Sequence, residues 1–324
     1  MTTGQSSGLA PGQSPDPSPG LAPVLDLGSV DGPVLCFGGP YSNVQATDAM
    51  LARARALGLA PQQIVCTGDV VAYAGDPVAT VERVRDAGIR VVMGNCEESL
   101  GFNAADCGCG FKRDSACADW SEVWFAHAAS QLDEDALAWM RALPRQLRFT
   151  LGGRRFAVIH GGDEDIAEYI FASTPVAAKA RIFERLSRND PTGDPTGDPP
   201  SDPIDAVIGG HSGLPFTQTL GSRLWHNPGA IGMPANDGTP RGWYSILAAE
   251  DGGIDIALHA LDYDHAAAAG ALRAVNPDLP YAETFETGLW PNMDVMPESE
   301  RRERGRPTAP GSVLWPEERI AAAE

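Results

Sequence analysis

"VLCFGGPYSNVQATDAMLARARALGLAPQQIVCTGDVV", residues 34–71, decides how this chain folds. Four apolar residues, Val34–Phe37, read as a short strand buried on both faces. They run into a loop of Gly38, Gly39, Pro40, Tyr41, Ser42 and Asn43. Helical spacing of good helix formers comes next over Ala46–Leu57, and Ile64–Thr67 is a second apolar strand. The unit then repeats, with Pro77–Ala87 as a helix and Ile89–Met93 as a third strand. Such β-α-β-α-β order implies parallel strands joined by crossover helices. In open sheets of this kind, ligands bind in the loops beyond the strands' C-terminal ends.

Further along, the pattern changes. After a helix at Glu134–Leu143 come "QLRFTLGGRRFAVIHGG" (146–162), "TQTLGSRLWHN" (217–227) and "WYSILAAEDGGIDIALHAL" (243–261), with an apolar strand Ala206–Ile208 among them. Each of the three is a pair of strands around a Gly-containing turn, a hairpin signature. The expected fold is therefore α/β (an α+β sandwich), with two stacked mixed β-sheets flanked by helices in one domain over residues 31–296. Residues 1–30, rich in Pro, Gly and Ser, read as a disordered tail. Residues 297–324 read as a second tail with a short terminal helix. "NDPTGDPTGDPPSDP", residues 189–203, reads as an inserted surface loop.

A net charge of −19 over 324 residues argues against nucleic acid or an anionic membrane as partner, because both demand basic surface. It permits a small phosphorylated substrate, provided a bound cation supplies local positive charge. No apolar run reaches the ~18 residues of a membrane span. The N-terminal stretch has neither a basic start nor an apolar core, so the expected location is cytoplasmic. Six cysteines without a secretory signal read as reduced, buried or metal-bound.

The residues just beyond each apolar strand carry the chemistry. "IVCTGDVV" ends at Gly68-Asp69, "VVMGNCEE" at Gly94-Asn95-Cys96-Glu97, "FAVIHGG" at His160-Gly161 and "DAVIGGHSG" at Gly210-His211. Singly, Gly-Asp is a common turn and a strand-end His an ordinary hydrogen-bonder. As an ordered set, Asp69, Asn95, His160 and His211 make a mixed N/O ligand group suited to Mn, Fe or Zn.

This ordered set, together with "NPGAIG" (Asn227–Gly232) after it, resembles the calcineurin-like metallophosphoesterases, in particular their bacterial phosphodiesterase and diadenosine-tetraphosphatase-like branch. The resemblance covers about residues 33–296 and implies the two-sheet sandwich already expected. It implies metal ligation by Asp69, Asn95, His160 and His211, with Asn95 and His160 also at the reacting centre. The family's second metal takes an Asp and a His from the first loop and the second His of a Gly-His-x-His motif. Here those places hold Gly39, Tyr41 and Gly213, so the resemblance implies one cation and one degenerate half-site. Tyr41 and Asn43 then become candidate phosphate contacts, and the alternative is a plain turn with Tyr41 filling the vacated space. His226, beside "NPG", is a further candidate for the substrate pocket. Cys96 stands where many relatives place an imidazole that acts as acid or phosphate contact, and Glu97 is expected to orient a ligating His.

One divalent cation still brings the pKa of water from 15.7 to about 7, roughly 12 kcal/mol toward hydroxide at neutral pH. It cannot clamp the attacking and leaving oxygens together as two metals do. Hydrolysis of a phosphodiester or pyrophosphate by water activated in this way, slow and favouring good leaving groups, is the expected function. The alternatives are a weak or inactive pseudoenzyme that binds a phosphorylated ligand, and a thiol- or metal-regulated protein. The last rests on "DCGCGFKRDSAC", where Cys107, Cys109 and Cys117 are open to three readings: a second metal or iron–sulfur site with Cys96, a redox-sensitive thiol pair, or a structural turn. Cys36 and Cys66, inside strands, read as small core residues.

Overall fold

A computed structural model describes residues 24–112, 114–188 and 203–316. In chain order the first half comprises β1 (Leu25–Ser29), β2 (Val34–Phe37), α1 (Val44–Ala56), β3 (Ile64–Cys66), α2 (Pro77–Asp86), β4 (Arg90–Val91) and α3 (Asn95–Gly101). It continues with α4 (Ala116–Gln131), α5 (Glu134–Arg141), β5 (Leu147–Leu151), β6 (Arg154–Val158) and α6 (Val176–Arg188). The second half holds β7 (Ala206–Ile208), β8 (Phe216–Leu220), β9 (Arg223–Asn227), β10 (Gly242–Glu250) and β11 (Gly253–Leu261). The helices α7 (His265–Val275), α8 (Tyr281–Thr287) and α9 (Glu298–Arg301) and the strand β12 (Gly311–Pro316) come last.

Two six-stranded mixed sheets stack, in the orders β1-β5-β6-β7-β9-β8 and β12-β11-β10-β2-β3-β4. The parallel run β2-β3-β4 and the hairpins β5–β6, β8–β9 and β10–β11 match the sequence expectation. Alternation along the strands builds the layers. Val34 and Cys36 of β2 face the other sheet, meeting Phe149, Phe156 and Ile208 between the layers. Leu35 and Phe37 point the opposite way, to the core under the helices with Met50, Val81 and Leu272. On the far side α6 lays Ile182, Phe183 and Leu186 over Val207 and Trp225. Cys36 and Cys66 are buried core residues, as expected.

The domain limits need correction at both ends. Leu25–Ser29, placed in the N-terminal tail by composition, pairs in parallel with β5. Residues 311–316, placed in the C-terminal tail, form an edge strand antiparallel to β11, and Trp315 is 2% exposed between the sheets. Residues 1–23, 317–324 and nearly all of the inserted loop, 189–202, lie outside the described residues. Among the described residues, no helix is long and apolar enough to cross a membrane.

Candidate metal centre

The loops after β3, β4, β6 and β7 meet at one edge of the sandwich. Their backbones are bound to one another before any side chain is considered. The opening loop lies along the Asp69 loop through Gly39 N–H to Gly68 O (3.1 Å), Tyr41 N–H to Asp69 O (3.1 Å) and Ser42 N–H to Val70 O (2.8 Å). The opening loop, which carries no carboxylate or imidazole, thus supports the loop of Asp69 through its backbone. Gly68 is required at its place: φ is +96°, and a Cβ would stand 2.7 Å from the Val92 carbonyl oxygen.

The four expected ligands converge. His160 Nε2 lies 3.1 Å from Asn95 Oδ1, 3.1 Å from His211 Nδ1 and 3.2 Å from Asp69 Oδ2. His211 Nδ1 is 4.0 Å from Asp69 Oδ2. Among the described residues, Asp69, His160 and His211 are the group of His, Cys, Asp or Glu side chains that brings its ligand atoms within 4.8 Å of one another. Donors about 2.0–2.2 Å from a common centre stand at roughly such separations.

The hydrogen bonds behind these atoms fix their roles. His160 Nδ1 is 2.6 Å from the Thr67 carbonyl oxygen, so Nδ1 carries the proton and Nε2 presents a lone pair inward. Asn95 Nδ2 donates to the Cys107 carbonyl (2.8 Å), which turns Oδ1 inward. The other oxygen of Asp69, Oδ1, accepts from Cys96 N–H (3.2 Å). In that tautomer His160 Nε2, Asn95 Oδ1 and Asp69 Oδ2 face one another as acceptors in a buried space. That is the donor set of a cation site, and the residues fit a borderline divalent ion.

The buried acid and imidazoles perturb one another. Burial opposes ionising Asp69, but the imidazoles of His160 and His211 outweigh it and hold the carboxyl below its usual range. Burial likewise opposes charging His160, but Asp69 and the Thr67 carbonyl raise it overall. Burial, helped by His160, drives His211 down to about 3, so it stands as a neutral ligand.

Several expectations change. Glu97 does not orient a histidine. Its carboxylate accepts the N–H groups of Asp69 (2.8 Å), Val70 (2.7 Å), Val71 (3.2 Å) and Gly94 (3.0 Å), tying together the loops that carry Asp69 and Asn95. Burial and the charge of Asp69 push it up to about 7. Cys96 is 1% exposed and does not line the cleft beside the metal centre, and burial holds its thiol protonated, well above the usual range. Asn43 is occupied by the fold: Oδ1 caps α1 at Ala46 N–H (3.0 Å) and Nδ2 donates to Gly232 O (3.2 Å). His226 is fully buried in β9, its Nδ1 3.0 Å from Thr217 Oγ1, and does not line the cleft beside the metal centre.

The three clustered cysteines do not form one ligand set. Cys107 and Cys109 are joined by a disulfide, and Cys117 is free on the cleft wall. The Cys-Gly-Cys turn serves the site through its backbone, by the Cys107 carbonyl that holds Asn95.

Tyr41 does face the cleft. Its ring occupies the space into which a Cβ on Gly39 would project, and its hydroxyl lies 3.8 Å from the Cβ position of Gly213. Tyr41 thus lies between Gly39 and Gly213, in space that a side chain on Gly39 would take. Burial keeps this phenol protonated, well above its usual range.

Two further contributors were not candidate site residues in the sequence, although Asn227 opens the "NPGAIG" stretch. Asn227 donates to Gly210 O and Ser212 Oγ, both at 3.0 Å, and so holds the loop of His211. Tyr169 lies with its ring 4.2 Å from that of His211 and donates its hydroxyl to Cys109 O (3.0 Å). Tyr41, Asp69, Tyr73 and His211 all have positive φ, between +35° and +56°, and such strained residues cluster at functional sites.

Comparison with known proteins agrees with this architecture. Residues 42–252 match the calcineurin-like phosphoesterase superfamily domain, and the chain belongs to that superfamily, whose members are metal-dependent phosphoester hydrolases. An uncharacterized protein of Methanocaldococcus jannaschii is 25% identical over 242 residues, 69% of this chain and 85% of that protein. Among solved structures, a hypothetical protein of Pyrococcus horikoshii OT3 superposes with a TM-score of 0.61 at 14% identity, covering 78% of this chain and 96% of that one. A metallophosphoesterase from Sphaerobacter thermophilus superposes with a TM-score of 0.54 at 21% identity, covering 79% and 99%. Both share the fold.

Proposed function

We propose that this chain hydrolyses a phosphodiester or pyrophosphate at a single divalent cation held by Asp69, Asn95, His160 and His211. The observation that carries the reading is the set of buried acceptors fixed by Thr67 O and Cys107 O to face one point. A cation there supplies Lewis acidity toward a phosphoryl oxygen and activates water near neutral pH. The chain's own residues do the rest. Thr67 O keeps His160 in the ligating tautomer, Glu97 keeps the Asp69 and Asn95 loops in register, and Tyr41 offers a neutral phenol donor where relatives place a second ion. The packing of Tyr41 against Gly39 and near Gly213 supports one ion rather than two, since the ring takes up the second ion's room.

Protein loaded with Mn, Fe or Zn is expected to hydrolyse bis-p-nitrophenyl phosphate, with His160→Ala reduced to the buffer rate. The degenerate half-site favours one other reading, a pseudoenzyme that only binds phosphorylated ligands. It calls for no hydrolysis with any of the three metals, while such ligands still raise the melting temperature.

A further inference from the structure

Beside His211 the surface opens into a cleft whose wall is made by Tyr41, Tyr73, Phe111, Tyr169, Tyr281 and Trp290. Among the described residues, no Lys, Arg, Asp or Glu lines it. His211, Ser212 and Gly213 form the end that adjoins the metal centre. We infer that this cleft receives the organic part of the substrate, and that this part is an uncharged aromatic ring system carried next to a single phosphoryl group. The inference rests on the phosphoesterase reading and narrows its substrate.

The charge argument comes first. A chain of several phosphates needs Arg or Lys along its path, because each added group brings further negative charge. Among the described residues, the lining of the path away from the cation carries no charged side chain, on a protein of net charge −19. Only the phosphoryl group at the ligand set would find a positive counterpart. Whatever extends from it enters an apolar slot.

Ring geometry then favours an aromatic occupant over an alkyl chain. Tyr73 is fixed edge-on to Tyr41 at 5.0 Å and tilted against Tyr281 at 4.8 Å, so the wall is rigid and presents flat faces. Adaptable side chains of the kind that fit an alkyl chain are few in the lining, chiefly Met233 and Val295. The hydroxyl of Tyr169 is committed to Cys109 O. Tyr41 lines the cleft with its phenol. Tyr41 (φ +52°) and Tyr73 (φ +35°), both lining the slot, hold positive φ, the kind of strain that a ligand clamp retains.

The test uses the metal-loaded full chain and non-hydrolysable probes, with binding measured by calorimetry. Phenylphosphonate should bind about tenfold more tightly than methylphosphonate, the gain of one stacked, buried ring. Tripolyphosphate should bind no more tightly than methylphosphonate. Trp290→Leu and Phe111→Leu should each shrink the phenyl advantage while methylphosphonate affinity stays the same. Equal binding of the phenyl and methyl probes would overturn the inference and leave the phosphoesterase reading intact. Tighter binding of decylphosphonate than of phenylphosphonate would replace the aromatic group with a lipid chain, and strongest binding of tripolyphosphate would refute the charge argument. Failure of every probe to bind metal-loaded protein would remove both readings together.

Discussion

His160 illustrates how little of a ligand's behaviour resides in the ligand. Its Nε2 is turned inward as the lone-pair nitrogen because a main-chain oxygen, Thr67 O, accepts from Nδ1–H. The same holds for Tyr41, whose ring is positioned by what Gly39 and Gly213 lack. A Cβ at Gly39 would collide with that ring, on a backbone already at φ +44°. Gly39→Ala is therefore expected to cost about 1–3 kcal/mol in chemical denaturation. Part of that cost should return in Gly39→Ala with Tyr41→Ala, a coupling of at least about 0.5 kcal/mol in a double-mutant cycle. Additive effects would mean that the two residues do not compete for one space. At this scale the sequence is legible for the residues that converge, because Asp69, Asn95, His160 and His211 are each a polar residue soon after an apolar strand. It misleads for Asn43, whose amide is used by the α1 cap and Gly232, and for His226, which is buried in β9 with Nδ1 against Thr217 and away from the cleft.

Between residues and the whole sandwich, the first turn of α3 matters most. Glu97 there takes two N–H groups on each carboxylate oxygen, Val70 and Val71 on one and Asp69 and Gly94 on the other. In Glu97→Gln, whichever way the amide turns, its NH₂ faces two buried N–H donors, each mismatch worth about 1–3 kcal/mol. We expect a lower melting temperature and cation affinity weakened about 10–100-fold, read by titration with Mn. Unchanged affinity would reduce Glu97 to a helix cap. No periodicity could have revealed this role, because the four donors lie on two separate loops. On the opposite layer, Lys179 of α6 is buried, donating to Ala172 O (3.1 Å) and Gln218 Oε1 (2.5 Å). Burial brings it from 10.5 down to about 8. Between those values the unfolded chain holds more protons than the folded one, so this residue's contribution to unfolding free energy rises with pH. The stability of the wild type relative to Lys179→Met should therefore increase from pH 8 to 10 in urea melts, and a pH-independent difference would contradict the burial argument.

Taken whole, the sandwich is legible where strands are buried and illegible at its edges. β2, β3 and β7 are apolar throughout and announce themselves. β1 and β12 are mostly exposed edge strands, with Trp315 the one buried residue of its strand, so neither shows alternation and both resemble tails in composition. Trp315 meets Phe156 edge to face at 6.0 Å. Trp315→Ala is expected to cost about 3–5 kcal/mol in urea unfolding without changing cation binding, whereas a small loss would return β12 to the status of a tail. The aromatic cleft escapes the sequence for a related reason: its rings come from loops and helices scattered from Tyr41 to Trp290, each unremarkable alone. What unites the molecule is the convergence of four strand-end loops on one point. Elemental analysis of metal-saturated, desalted protein tests this most directly. One equivalent of Mn, Fe or Zn per chain, lost in His160→Ala, is the predicted result; two equivalents, or one that survives that substitution, would contradict the account.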